Sequence, residues 1–275
     1  MPLAKSAMMV TLGAGMWLGS KVDKKLSTKA RNVRLQLLPK AVFDPIVTAA
    51  NNMRARYYAM TVPWKDNGDR VLTGHLYPRF IEDMGQLALV FDRVADQLCY
   101  RVYPPLRERI GFRAGGFIDE KVFPLPEDLR KRYYTSLTFL PITTAEDFKV
   151  DIPEAAEIKA RIRADTNLRL AQAQGDVIRR LHKVLSHFRD KMVEPKATFR
   201  DSTVENLDDF IDLLPGLNLL GDPGLERIGH RLRFMRRHSA GELRRHPDAR
   251  KAEADQASTI LQEVCSCFNK EAIIA

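Results

Sequence analysis

The densest set of anion-gripping groups in the chain lies between Arg227 and Lys251: Arg231, Arg233, Arg236, Arg237, Arg244 and Arg245. Arginine dominates over lysine there, and a planar guanidinium holds a phosphate through two parallel hydrogen bonds. Aromatic interleaving, which single-strand binding uses for base stacking, is limited to Phe234. A second basic patch gathers Lys21, Lys24, Lys25, Arg31 and Arg34. The C-terminal arginines also have a counterpart of opposite sign. Residues 201–225 carry six acidic groups and no Lys or Arg, whereas 226–251 carry nine basic groups against three acidic ones. Asp208, Asp209 and Asp212 are therefore candidates for a protein interface. They would meet the arginines within one chain or head-to-tail between chains, and head-to-tail contacts build rings or filaments. On residue types alone, nucleic-acid contact and protein contact weigh equally.

Other arrangements that could do chemistry fall short of a full set. Gly13-Ala14-Gly15 with Gly19 follows an apparent strand, as a dinucleotide-binding turn would. The pattern needs a glycine where Leu18 stands, Trp17 would crowd a pyrophosphate, and no βαβ unit follows. A bulged or flexible strand explains these glycines better. The chain has no Walker A sequence, no nucleophile elbow and no H-E-x-x-H. Cys265 and Cys267 lack two further ligands at metal spacing. His230, His238 and His246 recur every eighth residue, which turns them about 80° per step on a helix and suits a solvated surface. Asp147 and Asp151 would share one strand face with Lys149, a weak nuclease signal. The expectation is a protein without catalytic residues, metal or cofactor.

The elements must position these groups. The length of 275 residues and a hydrophobic fraction of 45% allow one large domain or a domain with an arm. Net charge is +9, which favours anionic partners. The Ser6–Ser20 stretch is too short and glycine-rich to span a membrane, and it lacks a signal-peptide cleavage pattern. Three scattered cysteines suit a reducing compartment.

Residues 8–18 read as a strand and 35–58 as a helix ended by Pro63. Asp66-Asn67-Gly68-Asp69 is a turn signal. Phe80, Met84, Leu87, Phe91, Val94 and Leu98 alternate at spacings of four and three, which predicts one apolar helix stripe; Pro104-Pro105 should break or bend it. A short helix is expected over 126–132. Residues 134–140 and 148–152 read as a hairpin, and a long helix should run from Pro153 to Val193. Its buried face would be Val177, Leu181, Val184, Phe188 and Met192, with a charged, alanine-rich first half projecting or packing on one side only. Shorter helices follow near 203–214, 223–238 and 249–268. The expected fold is predominantly helical α+β. A small antiparallel sheet, from the N-terminal strand and the hairpin near 134–152, would be covered by two long helices. The expected domains are a core over 1–199 and a helical segment over 200–275.

Three stretches carry a resemblance: Gly15-Met-Trp-Leu-Gly-Ser-Lys21 with the following Lys-Lys-Leu, Thr61-Val-Pro-Trp-Lys-Asp-Asn-Gly68, and Phe139-Leu-Pro with Asp147-Phe-Lys-Val150. Together they resemble an uncharacterised family of phage and prophage proteins, domain of unknown function (DUF) 3150, over about residues 8 to 195. The resemblance implies a phage origin and a bacterial host cytoplasm, and it carries over no catalytic residue. Such families tend to neighbour replication, recombination or AAA+ ATPase genes. The function expected is thus a non-enzymatic phage protein that self-assembles and binds nucleic acid, single-stranded DNA in recombination or annealing. The alternative is an adaptor that assembles with an AAA+ ATPase or another protein and ignores DNA.

Overall fold

Proline placement decides the first elements. The structure, a computed structural model, describes residues 6–22, 34–64, 68–113, 121–194 and 199–268. Strand β1 spans Ala7–Gly15, and a short ribbon pairs β2 (Ser20–Val22) with β3 (Arg34–Gln36). The helix expected from residue 35 instead begins at Asp44. Pro39 and Pro45 would each remove an internal helix hydrogen bond, whereas Pro45 suits a first turn. Pro39 thus precedes a 3-10 turn (Lys40–Phe43), and helix α1 is Asp44–Met60. Strands β4 (Val62–Pro63) and β5 (Arg70–Thr73) pair antiparallel, and Gly68 before β5 takes a φ of 94° that its missing Cβ permits; Asp66 and Asn67 of the expected turn lie outside the described residues. Helix α2 spans Tyr77–Gln97 and α3 spans Tyr103–Arg113. Between them, Leu98–Val102 forms a π turn in which the Tyr103 N–H donates to the Leu98 carbonyl. Pro104 and Pro105 therefore do not break the helix. They sit in the first turn of α3, directly after the π turn that interrupts the regular α-helical bonding and in which their missing N–H groups are accommodated.

Helix α4 (Pro126–Arg130) leads into β6 (Tyr134–Pro141). The second strand of the expected hairpin is absent: Ala145–Asp147 is a 3-10 turn held by a capping box between Thr144 and Asp147, and residues 148–152 form no strand. Helix α5 (Ala155–Val193) is followed by α6 (Asp201–Leu217), α7 (Pro223–Met235), α8 (Ala240–Arg245) and α9 (Pro247–Cys267). Helix α6 runs through Pro215, since a proline in the last turn removes only one bond. The main sheet has the order β4-β5-β1-β6, with Met8 opposite Leu72 and Val10 opposite Arg70. The α+β, predominantly helical class is as expected.

The chain divides into two compact units. The larger comprises Met1–Val10, Ala59–Pro78 and Phe139–Ala275. Here the C-terminal face of α5 (Val177, Leu181, Leu185, Phe188 and Met192) is buried, and its main partner is α9 through Ala257, Ile260, Leu261 and Val264. No residue of α5 before Ala173 is buried, so its first half packs on one side only. The C-terminal helices are therefore not a segment apart from residue 200. They complete the core of α5, which no local signal could show. The smaller unit comprises Thr11–Tyr58 and Arg79–Thr138. Its core joins Phe43, Ile46 and Ala50 to Phe91, Leu98, Cys99, Tyr103, Leu129 and Tyr133. Trp17 stands edge-on to Phe43 and Tyr103, and its carbonyl accepts the Tyr133 hydroxyl at 2.5 Å. The glycines of the supposed dinucleotide turn serve close strand packing. A Cβ on Gly13 would lie 2.5 Å from the Ser136 hydroxyl, and one on Gly15 would lie 2.2 Å from the Tyr134 ring.

Candidate nucleic-acid interface

The arginine block falls on α7, α8 and the turn between them, and half of its six arginines, Arg231, Arg236 and Arg244, are met by carboxylates inside the larger unit. Arg236 ends α7 with its side chain 7% exposed. Its guanidinium grips Asp208 of α6 in fork fashion, Nε to Oδ1 at 2.8 Å and Nη2 to Oδ2 at 3.0 Å. Its Nη1 donates to Glu253 Oε2 of α9 at 2.7 Å and to the His238 carbonyl at 2.9 Å. Burial works against the charged guanidinium, but Asp208 and Glu253 outweigh it and hold the pKa above the ordinary arginine value. Glu253, 3% exposed, also takes the His238 backbone N–H at 3.2 Å and ring Nδ1 at 2.9 Å. This corrects the expectation for Arg236: it ties three helices together and is not open to a phosphate. Asp208 is likewise an internal partner and not a free interface residue.

The other arginines divide. Arg231 and Arg227 share Glu263 of α9. Arg244 donates to the Phe199 carbonyl at 2.9 Å and to Asp201 at 2.6 Å. The acidic and basic blocks thus meet within one chain at Asp208–Arg236 and Asp201–Arg244. Among the described residues Arg245 reaches only the Gly241 carbonyl, at 3.2 Å. Arg237 lies over the exposed Phe234 ring, 4.1 Å from its centroid. Arg233 makes no hydrogen bond or ion pair among the described residues; with Asp212 it lines an open cleft of about 390 Å³ that also takes in Arg237 and Ser239. Asp209 is half-buried on α6.

In the second patch, Lys21 and Arg34 belong to the β2–β3 ribbon, with Val22 opposite Arg34. Lys24, Lys25 and Arg31 lie outside the described residues. The carboxylates weighed as a nuclease pair are not on one strand. Asp147 accepts from the Thr144 backbone and hydroxyl at 2.7 and 2.9 Å, which lowers its pKa. Among the described residues no three His, Cys, Asp or Glu side chains gather as a metal would need. No helix of the described residues is long and apolar enough to cross a membrane.

Net charge is distributed by unit. The smaller unit carries 19 Lys and Arg against 11 Asp and Glu, whereas the larger carries 25 against 24. The arginine block is dense in sequence but only partly balanced in space, at Arg231, Arg236 and Arg244. Sequence reasoning passed over a sparser set on the outer side of α2 and α3, where Arg93, Arg101, Arg109 and Arg113 are all exposed. Their spacing of eight, eight and four was the available signal, hidden because no two are adjacent. Compared with protein-family models, with curated proteins and with solved structures, the chain matches none.

Proposed function

We propose that this is a non-enzymatic nucleic-acid-binding protein of phage type, which self-assembles and takes single-stranded DNA as its main partner. The observation that carries this reading is the uneven charge: a surplus of eight cationic groups belongs to the smaller unit and only one to the larger. A unit of about 108 residues with that surplus attracts a polyanion at long range. Most of that surplus comes from residues 21–40, where seven basic side chains stand against Asp23. The resemblance to the phage family and its usual genetic neighbours supports a role in recombination or annealing.

The test is the affinity of the full chain for a fluorescent single strand across a salt series. Affinity should fall steeply and linearly on logarithmic axes, because each neutralised phosphate releases counterions. Lys24→Gln with Lys25→Gln should flatten that slope by roughly 1.4, at about 0.7 per contact, whereas Arg236→Lys should leave it unchanged. Absence of binding at low salt would sink the reading. A partner then captured by the chain after nuclease treatment would favour the adaptor alternative with an AAA+ ATPase.

A further inference from the structure

The outer face running from α2 through the π turn into α3 is a regular column. Residues 93, 97, 101, 105, 109 and 113 are exposed at every step of four. Four of the six are Arg93, Arg101, Arg109 and Arg113, and none of these makes a hydrogen bond or ion pair among the described residues. Large aromatic rings stand beside them: Phe112 is 89% exposed and Tyr100 is 49% exposed. An aromatic side chain that open, on an otherwise well-packed helix, contributes nothing to the core and exposes apolar area to water.

Two local features shape the column. A spacing of four drifts by about 40° per step on an ideal helix, so position 113 would stand about 200° from position 93. The π turn absorbs one extra residue at Leu98–Val102 and takes back about 100° of that drift. Beyond the turn, Arg101, Arg109, Phe112 and Arg113 lie within an arc of about 120° on the helix. The acidic neighbours are also removed from competition. Asp92 and Asp96 are both held by Arg130, at 2.7 and 2.5 Å, and Asp83 is held by Arg56. Glu108 is the exposed acid left within α3.

We infer that this face is a binding track for single-stranded nucleic acid, with a base stacked on Phe112 and the flanking phosphates held by Arg101, Arg109 and Arg113. Single-strand sites combine these two elements, a cationic path along the backbone and an aromatic ring for unstacked bases. Arg101 and Arg109, about 12 Å apart along the axis, and Arg109 and Arg113, about 6 Å apart, can reach successive parts of one extended backbone. A duplex keeps its bases stacked and offers Phe112 nothing. In the C-terminal arginine block both elements are curtailed: Arg236, Arg244 and Arg231 are held by carboxylates, and the exposed Phe234 ring is already covered by the Arg237 guanidinium.

The inference rests on the reading of the protein as a nucleic-acid binder, and the experiment separates the two. Anisotropy of the full chain is measured with a labelled oligothymidylate of about 16 nucleotides, with the same strand made abasic, and with a duplex of equal length. Phe112→Ala should weaken oligothymidylate binding roughly 5- to 150-fold, the range for one lost stacked base. It should leave the abasic strand and the duplex unchanged, and Phe112→Tyr should restore binding. The Arg101, Arg109 and Arg113 to Gln triple variant should lower the salt slope by about 2. Glu108→Gln should tighten binding. All five side chains are exposed, so unfolding curves should match the wild type. Wild-type binding that these variants leave intact overturns the track and spares the general reading. No wild-type binding overturns both. Unchanged DNA affinity with lost self-association in Phe112→Ala would make the face a protein contact and overturn the track.

Discussion

Buried polar and thiol groups in the smaller unit behave as donors and core atoms. The Cys99 thiol is fully buried, and burial pushes it up to about 11 from 9.0. The Tyr103 hydroxyl donates to the Pro124 carbonyl at 2.9 Å, and burial pushes it up to about 12 from 10.0. The Tyr133 hydroxyl, given to Trp17, is also raised by burial. A group raised in the folded state stabilises the fold fully below its unfolded pKa and loses that contribution as pH climbs through the folded value. Stability of this protein should therefore be flat through neutrality and fall from about pH 9, with the loss from Cys99 complete near pH 11. A thiol-reactive chromophore at pH 8 should label Cys265 and Cys267 quickly and Cys99 only on unfolding. Rapid labelling of all three in the native protein would contradict the packing.

At the scale of elements, the junction of α6, α7 and α9 is a connected polar network of the larger unit. Arg236, Asp208, Glu253 and His238 satisfy one another, and Phe188 of α5 lies 5.5 Å beneath the Arg236 guanidinium. Removing one partner of a buried ion pair leaves the other charge unpaired and costs about 3–5 kcal/mol. Arg236→Ala should thus lower the urea midpoint far more than Arg233→Ala, which loses no partner among the described residues. Replacing Arg236 and Glu253 together by Met and Leu should recover part of the loss. Equal midpoints for the two single variants would deny the network its role. Helix periodicity was legible from residues alone in α2 and in the second half of α5, where the expected apolar positions are buried or half-buried, with Leu185 taking the buried place beside Val184. Residues 148–152 misled because alternation does not say whether a partner strand exists, and here the capping box at Thr144 turns the chain away first.

For the molecule as a whole, charge bears on assembly. Intrachain pairing with the basic block takes up Asp208 and Asp201, two of the six carboxylates on the acidic side, which weakens a head-to-tail contact between the two blocks. Self-assembly, if driven by a strand lying across several copies, should then depend on the nucleic acid. The mass of the purified chain, measured with and without single-stranded DNA at fixed salt, should increase in steps as strand length grows. A mass that is already large and indifferent to DNA would point to protein contacts instead. The division into two units lay beyond sequence reading, because each unit draws its core from stretches far apart in the chain.

What the amino-acid order determined by itself is local: the helices with strong apolar stripes, the turn at Gly68, the net positive charge, and the lack of any recognised catalytic motif. Tertiary structure alone decided which charges are open. Arg236 and Arg233 look alike in the sequence, three residues apart on one helix. Arg236 meets Asp208, 28 positions earlier, and Glu253, 17 positions later, while Arg233 on the same cleft meets no carboxylate among the described residues. Helical periodicity is written in neighbours three and four residues apart, but the cost of burying a charge is set by whatever the fold brings beside it.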